Sequence, residues 1–273
     1  MKAVLVALLA VVSTTYFGVS VSDPYRWLEN ANSPRTQRWI DQQNAATDKF
    51  VAAYPLSERI AKRIGQLELT GPQRFEPQLR GTTMFYMREI PPQPQPLLVA
   101  QPWPAGDAHV VADPAQFGAA TSIDFYWPSP SGKLVALGTA PGGSEQTTIR
   151  VVGADGRVYA DALARAGGGT TSPSIAWDAG ERGFTYTQLP VNSQFGVRLY
   201  HHVLGTPQTS DTKVLDEVSH VAEYTLIESP DARRVAARVL FGDGSFERVF
   251  VRENGTWTQK VGPSDGIVDG AFA

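Results

Sequence analysis

Cysteine is absent from this chain of 273 residues. That single absence excludes disulfides, thiolate nucleophiles, and cysteine-ligated zinc or iron–sulfur clusters. Histidine is scarce, with His109, His201, His202 and His220 making four. No H-E-x-x-H pattern and no histidine pair four apart on a helix occurs, so the spacing of a zinc hydrolase is missing. His201 and His202 are adjacent on a predicted strand, which sends them to opposite faces and away from a shared metal. A surplus of one charge is also missing: 24 Lys and Arg against 27 Asp and Glu leave a net charge of −3. Nucleic-acid binding requires a basic face or stripe, so no nucleic-acid partner is expected. Gly142-Gly143 and Gly167-Gly168-Gly169 lack both the dinucleotide fingerprint spacing and a following helix, and read as loops. Neither metal nor cofactor is expected.

Long apolar runs are missing too. The longest, Ala3 to Val12, follows Lys2 and gives way to Ser13, Thr14 and Thr15. One positive charge, a short apolar core and a polar boundary are the layout of a secretory signal, and the run is too short for a stable membrane span. It lacks a clean small-x-small cleavage site, so a buried strand or a mis-called start of translation is the alternative. Residues 1–15 are therefore expected to direct a periplasmic or secreted location, and otherwise the location is cytoplasmic.

What is present suits a packed fold. Hydrophobic residues are 42% of the chain and charged residues 19%, enough apolar material for one large domain or two small ones. Ser33-Pro34 reads as an N-cap followed by proline at the first helical position. Trp39, Ile40, Gln43, Thr47, Phe50, Val51 and Tyr54 then recur at helical spacing until Pro55. A second helix is predicted from Ser57 to about Leu69, with Ile60, Ile64 and Leu67 on one face and Gly71-Pro72 beyond it. Thereafter the pattern changes to short β-prone runs: 83–87, 97–99, 134–137, 149–152, 184–187, 197–200, 235–239 and 249–251. Ala154-Asp155-Gly156-Arg157 predicts a hairpin turn, because Asp-Gly tolerates positive φ.

A repeat is superimposed on these strands. Ser129-Pro130-Ser131-Gly132-Lys133, Asp178-Ala179-Gly180-Glu181-Arg182-Gly183 and Ser229-Pro230-Asp231-Ala232-Arg233 each precede a strand. They start about fifty residues apart, the period of four-stranded propeller blades. About four blades fit between residue 70 and Ala273, so an open arc with an unpaired edge is expected, marking a chain that is incomplete or completed by something else.

Catalytic constellations are thin. Gly262-Pro263-Ser264-Asp265-Gly266 fits the nucleophile-elbow pattern G-x-S-x-G, but no histidine follows it, and it reads as a turn. Pro91-Pro92-Gln93-Pro94-Gln95-Pro96 reads as a stiff surface connection between strands, with a polyproline ligand as the alternative. Trp27, Trp39 and Trp177 read as core.

Several stretches resemble one family. Tyr16-Phe17-Gly18-Val19 and Asp23-Pro24-Tyr25-Arg26-Trp27-Leu28-Glu29 resemble the opening of prolyl oligopeptidases. Trp39-Ile40-Asp41, Gln43-Asn44, Thr47 and Tyr54-Pro55-Leu56 continue the likeness, as do Pro128–Lys133, Gly142–Glu145, Ala176-Trp177, Gly183–Thr187 and His202–Thr206. The resemblance implies a mainly β fold: a partial, about four-bladed β-propeller of the seven-bladed prolyl-oligopeptidase type, preceded by two N-terminal helices. Residues 16–70 would form a helical segment that packs on an α/β-hydrolase domain, and 71–273 the partial propeller. The function implied is the substrate-gating portion of a serine peptidase that hydrolyses short proline-containing peptides; a non-catalytic propeller binding module is the alternative. The family's catalytic serine, aspartate and histidine lie in the hydrolase domain, so no catalytic residue is assigned here and enzymatic activity of this chain stays open.

Overall fold

The computed structural model describes residues 12–68, 71–144, 146–167, 172–191, 193, 195–215, 222–241 and 247–267. The apolar run up to Val11, Glu145, Gly168-Gly169 and His220 lie outside the described residues. The chain divides into two units, residues 1–70 and 71–273.

The first unit opens on a hairpin of β1 (Val12–Tyr16) and β2 (Val19–Asp23), paired antiparallel. Its two-residue turn places Phe17 and Gly18 at φ 49° and 82°, the mirror-image geometry whose twist matches the flanking strands. Asp23 then ends the strand by turning the chain: its Oδ1 accepts the Tyr25 N–H at 2.9 Å and its Oδ2 the Arg26 Nε at 2.9 Å. A short 3-10 turn, Arg26–Glu29, follows.

Helix α1 (Pro34–Ala52) starts as its sequence dictates, with the Ser33 hydroxyl accepting the Thr36 N–H at 3.1 Å and proline at the first position. The Thr36 hydroxyl donates to the Trp27 carbonyl at 3.0 Å, tying helix to turn. Trp27 packs edge-on against Trp39 with centroids 6.2 Å apart, and the Arg35 guanidinium lies 4.0 Å over the Trp27 ring. The helix ends at Ala52 with Ala53 as its cap, short of Pro55, whose ring disfavours helical geometry at the residue before it. Helix α2 (Ser57–Glu68) carries Ile60, Ile64 and Leu67, which are 46%, 48% and 52% exposed.

The second unit is built of strands in chain order. β3 (Gln73–Arg80), β4 (Thr83–Glu89), β5 (Leu97–Pro102) and β6 (His109–Ala112) form the first antiparallel sheet. β7 (Thr121–Pro128), β8 (Leu134–Pro141), β9 (Thr147–Gly153) and β10 (Val158–Ala166) form the second. β11 (Ile175–Trp177), β12 (Gly183–Gln188), β13 (Arg198–Val203) and β14 (Thr212–Leu215) form the third, whose ladder meets the second at the pair Ala166–Gln188. β15 (Ala222–Glu228), β16 (Arg234–Phe241), β17 (Arg248–Glu253) and β18 (Thr256–Val261) form the fourth. The Asp155-Gly156 turn closes β9 onto β10 with Gly156 at φ 86° and the Gly153 N–H on the Arg157 carbonyl at 2.7 Å. Pro91–Pro96 spans the connection from β4 to β5.

The core lies between successive sheets, face to face. Phe85 and Leu98 of the first sheet meet Val135 and Leu137 of the second. Ile149 and Leu163 of the second meet Trp177, Phe184 and Tyr186 of the third. Ala176 and Leu199 of the third meet Tyr224, Val235 and Ala237 of the fourth. Four-stranded meanders stacked face on face in sequence are blades of a propeller. Because each inner sheet is covered on both faces, its strands read as near-continuous apolar runs: β12 is buried at every position. Polar cross-links repeat at the same period. The Trp177 indole N–H donates to the Trp127 carbonyl at 3.0 Å, its backbone N–H donates to the Glu228 carboxylate, and the Leu226 N–H donates to the Ser174 hydroxyl at 2.9 Å.

Candidate functional site

The two adjacent histidines of β13 do point to opposite sides, and each finds a carboxylate. His202 is wholly buried, with Nδ1 2.7 Å from Asp211 Oδ1 and Nε2 3.0 Å from Asp161 Oδ1. Asp161 also accepts the Gly205 N–H at 2.6 Å, and Asp211 Oδ2 accepts the Tyr186 hydroxyl at 2.7 Å. Burial, together with the Asp211 carboxylate, raises the Tyr186 phenol above its ordinary range and keeps it a neutral donor. The cluster ties β10, β13 and the segment before β14 together without an opening to solvent. Its chemistry is that of a structural clamp, in which each buried polar group finds a hydrogen-bond partner in the others.

His201 opens the other way, into a cleft of about 760 Å³ between the third and fourth sheets. Asp178, at the end of β11, receives the His201 Nε2 at 2.7 Å on one oxygen and the Arg252 Nη2 at 3.0 Å on the other. Arg252 also donates to the Thr185 hydroxyl at 3.1 Å. Burial pushes the Asp178 carboxyl up, but the His201 hydrogen bond and the charges of His201 and Arg252 more than offset this and hold it below its ordinary 3.8. Nearby Glu228 shows the opposite balance: burial pushes it above its ordinary value, and the Trp177 N–H with the charges of Arg80 and Arg252 compensates only in part. Arg233, Asn254 and Trp257 complete the polar part of the wall.

The cleft therefore offers paired charge and hydrogen-bond donors. It does not offer a nucleophile hydrogen-bonded to a base that is itself oriented by an acid, the arrangement that acyl transfer requires. Ser264, the elbow candidate, sits exposed in a one-turn 3-10 helix (Pro263–Asp265) closed by the Gly262 N–H on Asp265 Oδ2 at 2.7 Å. The strand-to-helix turn that gives the pattern catalytic meaning is not what surrounds it. His109 stands apart, hydrogen-bonded to the Ala154 carbonyl at 2.8 Å. Among the described residues no group of three or more His, Asp or Glu side chains is placed to hold a metal ion. The pairing of Asp178 with His201 and of Asp161 and Asp211 with His202 was not legible in the sequence. Alternation along β13 gave the two directions, but the partners stand 23, 41 and 9 residues away.

Four stacked meanders, preceded by the turn built on Asp23 and a helix capped by Ser33, define one class of protein, a partial β-propeller with an N-terminal helical segment. The description "Prolyl oligopeptidase, N-terminal beta-propeller domain" fits residues 10–235, and the chain belongs to the prolyl oligopeptidase family. A prolyl endopeptidase of Elizabethkingia meningoseptica is 27% identical over 212 residues, covering 74% of this chain and 29% of that protein. A prolyl endopeptidase of known structure superposes with a TM-score of 0.78 and 26% identity, covering 92% of this chain and 38% of its own. Oligopeptidase B from Leishmania major, at 16% identity and a TM-score of 0.72, shares the fold. The chain thus spans less than a third of the length of its Elizabethkingia relative. Among the described residues no helix is long and apolar enough to cross a membrane.

Proposed function

We propose that this chain is the substrate-gating part of a peptidase that hydrolyses short proline-containing peptides. The observation that carries the reading is the run of four face-packed sheets, of which the first three and the start of the fourth lie within residues 10–235, the stretch matched by the family's N-terminal propeller domain. Stacked blades with fully buried inner strands make a rigid wall, and a rigid wall selects by size: a short extended peptide passes where a folded protein does not. Bond cleavage in this reading belongs to an α/β-hydrolase domain outside these residues, where a serine activated by histidine attacks the peptide and an oxyanion hole holds the tetrahedral intermediate. The half-exposed Ile60, Ile64 and Leu67 of α2 suit contact with that domain, since apolar side chains aligned on one helix face are stabilised by being covered. The signal-like start at Lys2–Val12 supports export to the periplasm or beyond.

The test is hydrolysis of a proline-containing chromogenic peptide. The purified 273-residue chain is expected to give no turnover, and turnover is expected once the hydrolase domain of a relative is supplied. Turnover by the chain alone, scaling with its concentration, overturns this division of labour.

A further inference from the structure

Three of the four sheets carry the same turn between their first and second strands. In each, the first residue donates its N–H to the carbonyl five residues on: Ser129 to Leu134 at 2.8 Å, Asp178 to Gly183 at 3.0 Å, Ser229 to Arg234 at 2.9 Å. The fourth residue donates back to the first: Gly132 to Ser129 at 2.9 Å, Glu181 to Asp178 at 2.9 Å, Ala232 to Ser229 at 2.8 Å. That fourth residue is left-handed every time, with φ of 72°, 52° and 53°. The three turns share this hydrogen-bond pattern position by position, so their side chains can be compared at matching positions.

At the fourth position neighbouring sheets meet. Glu181 of the third sheet reaches back to the second, where its carboxylate accepts the Ser131 N–H on one oxygen and the Ser131 hydroxyl at 2.7 Å on the other. One junction later the partners change. The residue aligned with Ser131 is Gly180, whose N–H has no acceptor among the described residues and whose Cα faces open space, with nothing within 4 Å of an added Cβ. The residue aligned with Glu181 is Ala232, and a methyl group cannot reach back. This is where the 760 Å³ cleft lies, with Ala179 and Ala232 in its walls. Arg252 stands inside it, and Arg233 at its edge has a side chain 81% exposed, held only by a surface pairing with Asp231 at 3.7 Å. Such pairings exchange readily for another anion. The Asp178 carboxylate is already engaged by His201 and Arg252, while Arg233 and the Gly180 N–H are donors on offer at the mouth of the cleft. The Trp257 indole N–H, which has no partner among the described residues, is another in its wall.

We propose that the cleft between the third and fourth sheets is a carboxylate-binding site that takes an Asp or Glu side chain of an acidic peptide segment. The ligand carboxylate sits against the Gly180 N–H and Arg233, in the place that Glu181 fills at the preceding junction. The inference is independent of the peptidase reading, because it rests on the comparison of two junctions within the propeller.

The experiment is an amide NMR titration of the full chain with N-acetyl-glutamate amide and, in parallel, the uncharged N-acetyl-glutamine amide, at constant ionic strength. The Gly180 amide is expected to shift saturably with the glutamate probe, while the Ser131 amide, already capped, stays in place. The glutamine probe is expected to bind at least about tenfold more weakly, the size of one charge-assisted hydrogen bond. Ala232→Glu supplies the carboxylate from within and is expected to abolish binding. Glu181→Ala is expected to create a second site, read at Ser131, so the proposal stays testable should Ala232→Glu misfold. Equal response to the two probes, or an unmoved Gly180 amide, overturns it.

Discussion

The N-terminal unit and the sheet unit solve the same problem in different ways. In residues 12–68 order is local: Asp23 turns the chain, Ser33 caps α1, and the Ser57 hydroxyl at the start of α2 donates to the Tyr54 carbonyl at 2.8 Å. Its large apolar side chains stay in the open, with Phe50 at 79% exposure. In the sheet unit order is distant: Trp177, Phe184, Tyr186 and Tyr224 are at most 1% exposed and draw their contacts from sheets about fifty residues away in sequence. Helices can be started by a few side chains near their ends, whereas a sheet gains stability only when a separate element covers its face.

The largest expected effect tests this contrast directly. Trp177→Ala removes a fully buried ring that packs between the second and third sheets and donates its indole N–H to the Trp127 carbonyl, while the backbone N–H bond to Glu228 is kept. A loss of about 3–5 kcal/mol in the unfolding of the sheet unit is expected, measured by denaturant titration. Hydrogen exchange of the α1 amides should be unchanged; if they open together with the sheets, the two units form one cooperative system and the contrast fails.

Asp178→Asn probes a smaller, pH-dependent contribution. The Asp178 carboxyl is held below its ordinary value, so it contributes stability that is present above 3.8 and is lost as pH falls through its lowered value in the folded state. The variant should be less stable than the parent at neutral pH and should lose less on acidification, seen as a flatter acid limb in thermal melts. A parallel acid limb would mean that Asp178 titrates no differently folded and unfolded. The effect of Ser33→Ala is smallest: about 1 kcal/mol, or roughly fivefold faster exchange in the first turn of α1. Strand amides of the sheet unit should not respond. A response there would show that the cap supports more than its own helix.

Much of the architecture was legible because it rests on short-range rules. Ser33-Pro34 announced α1, Asp155-Gly156 announced the β9–β10 turn, and the three spaced turns announced a stack of similar sheets. The residue bounds of strands were less legible: β8 runs to Pro141, four residues past its apolar tetrad, because Gly138, Thr139 and Ala140 continue the ladder with β7 and are buried, Gly138 beneath the Phe125 ring, which no local pattern reveals. The cleft and the His202 cluster were not legible at all. Asp161, Asp178 and Asp211 are ordinary carboxylates in sequence, and only the stacking of the sheets brings them to the two histidines.

What the sequence by itself determined was therefore the kind of element at each position, the repeat, and the membership in a family of peptidases. Those follow from side-chain geometry, capping and periodicity, which act over a few residues. The tertiary structure alone decided which junction between sheets is closed by a carboxylate and which is left open. One left-handed turn position holds Glu181 and the next holds Ala232, and that difference acquires chemical meaning only when two turns some fifty residues apart are brought side by side.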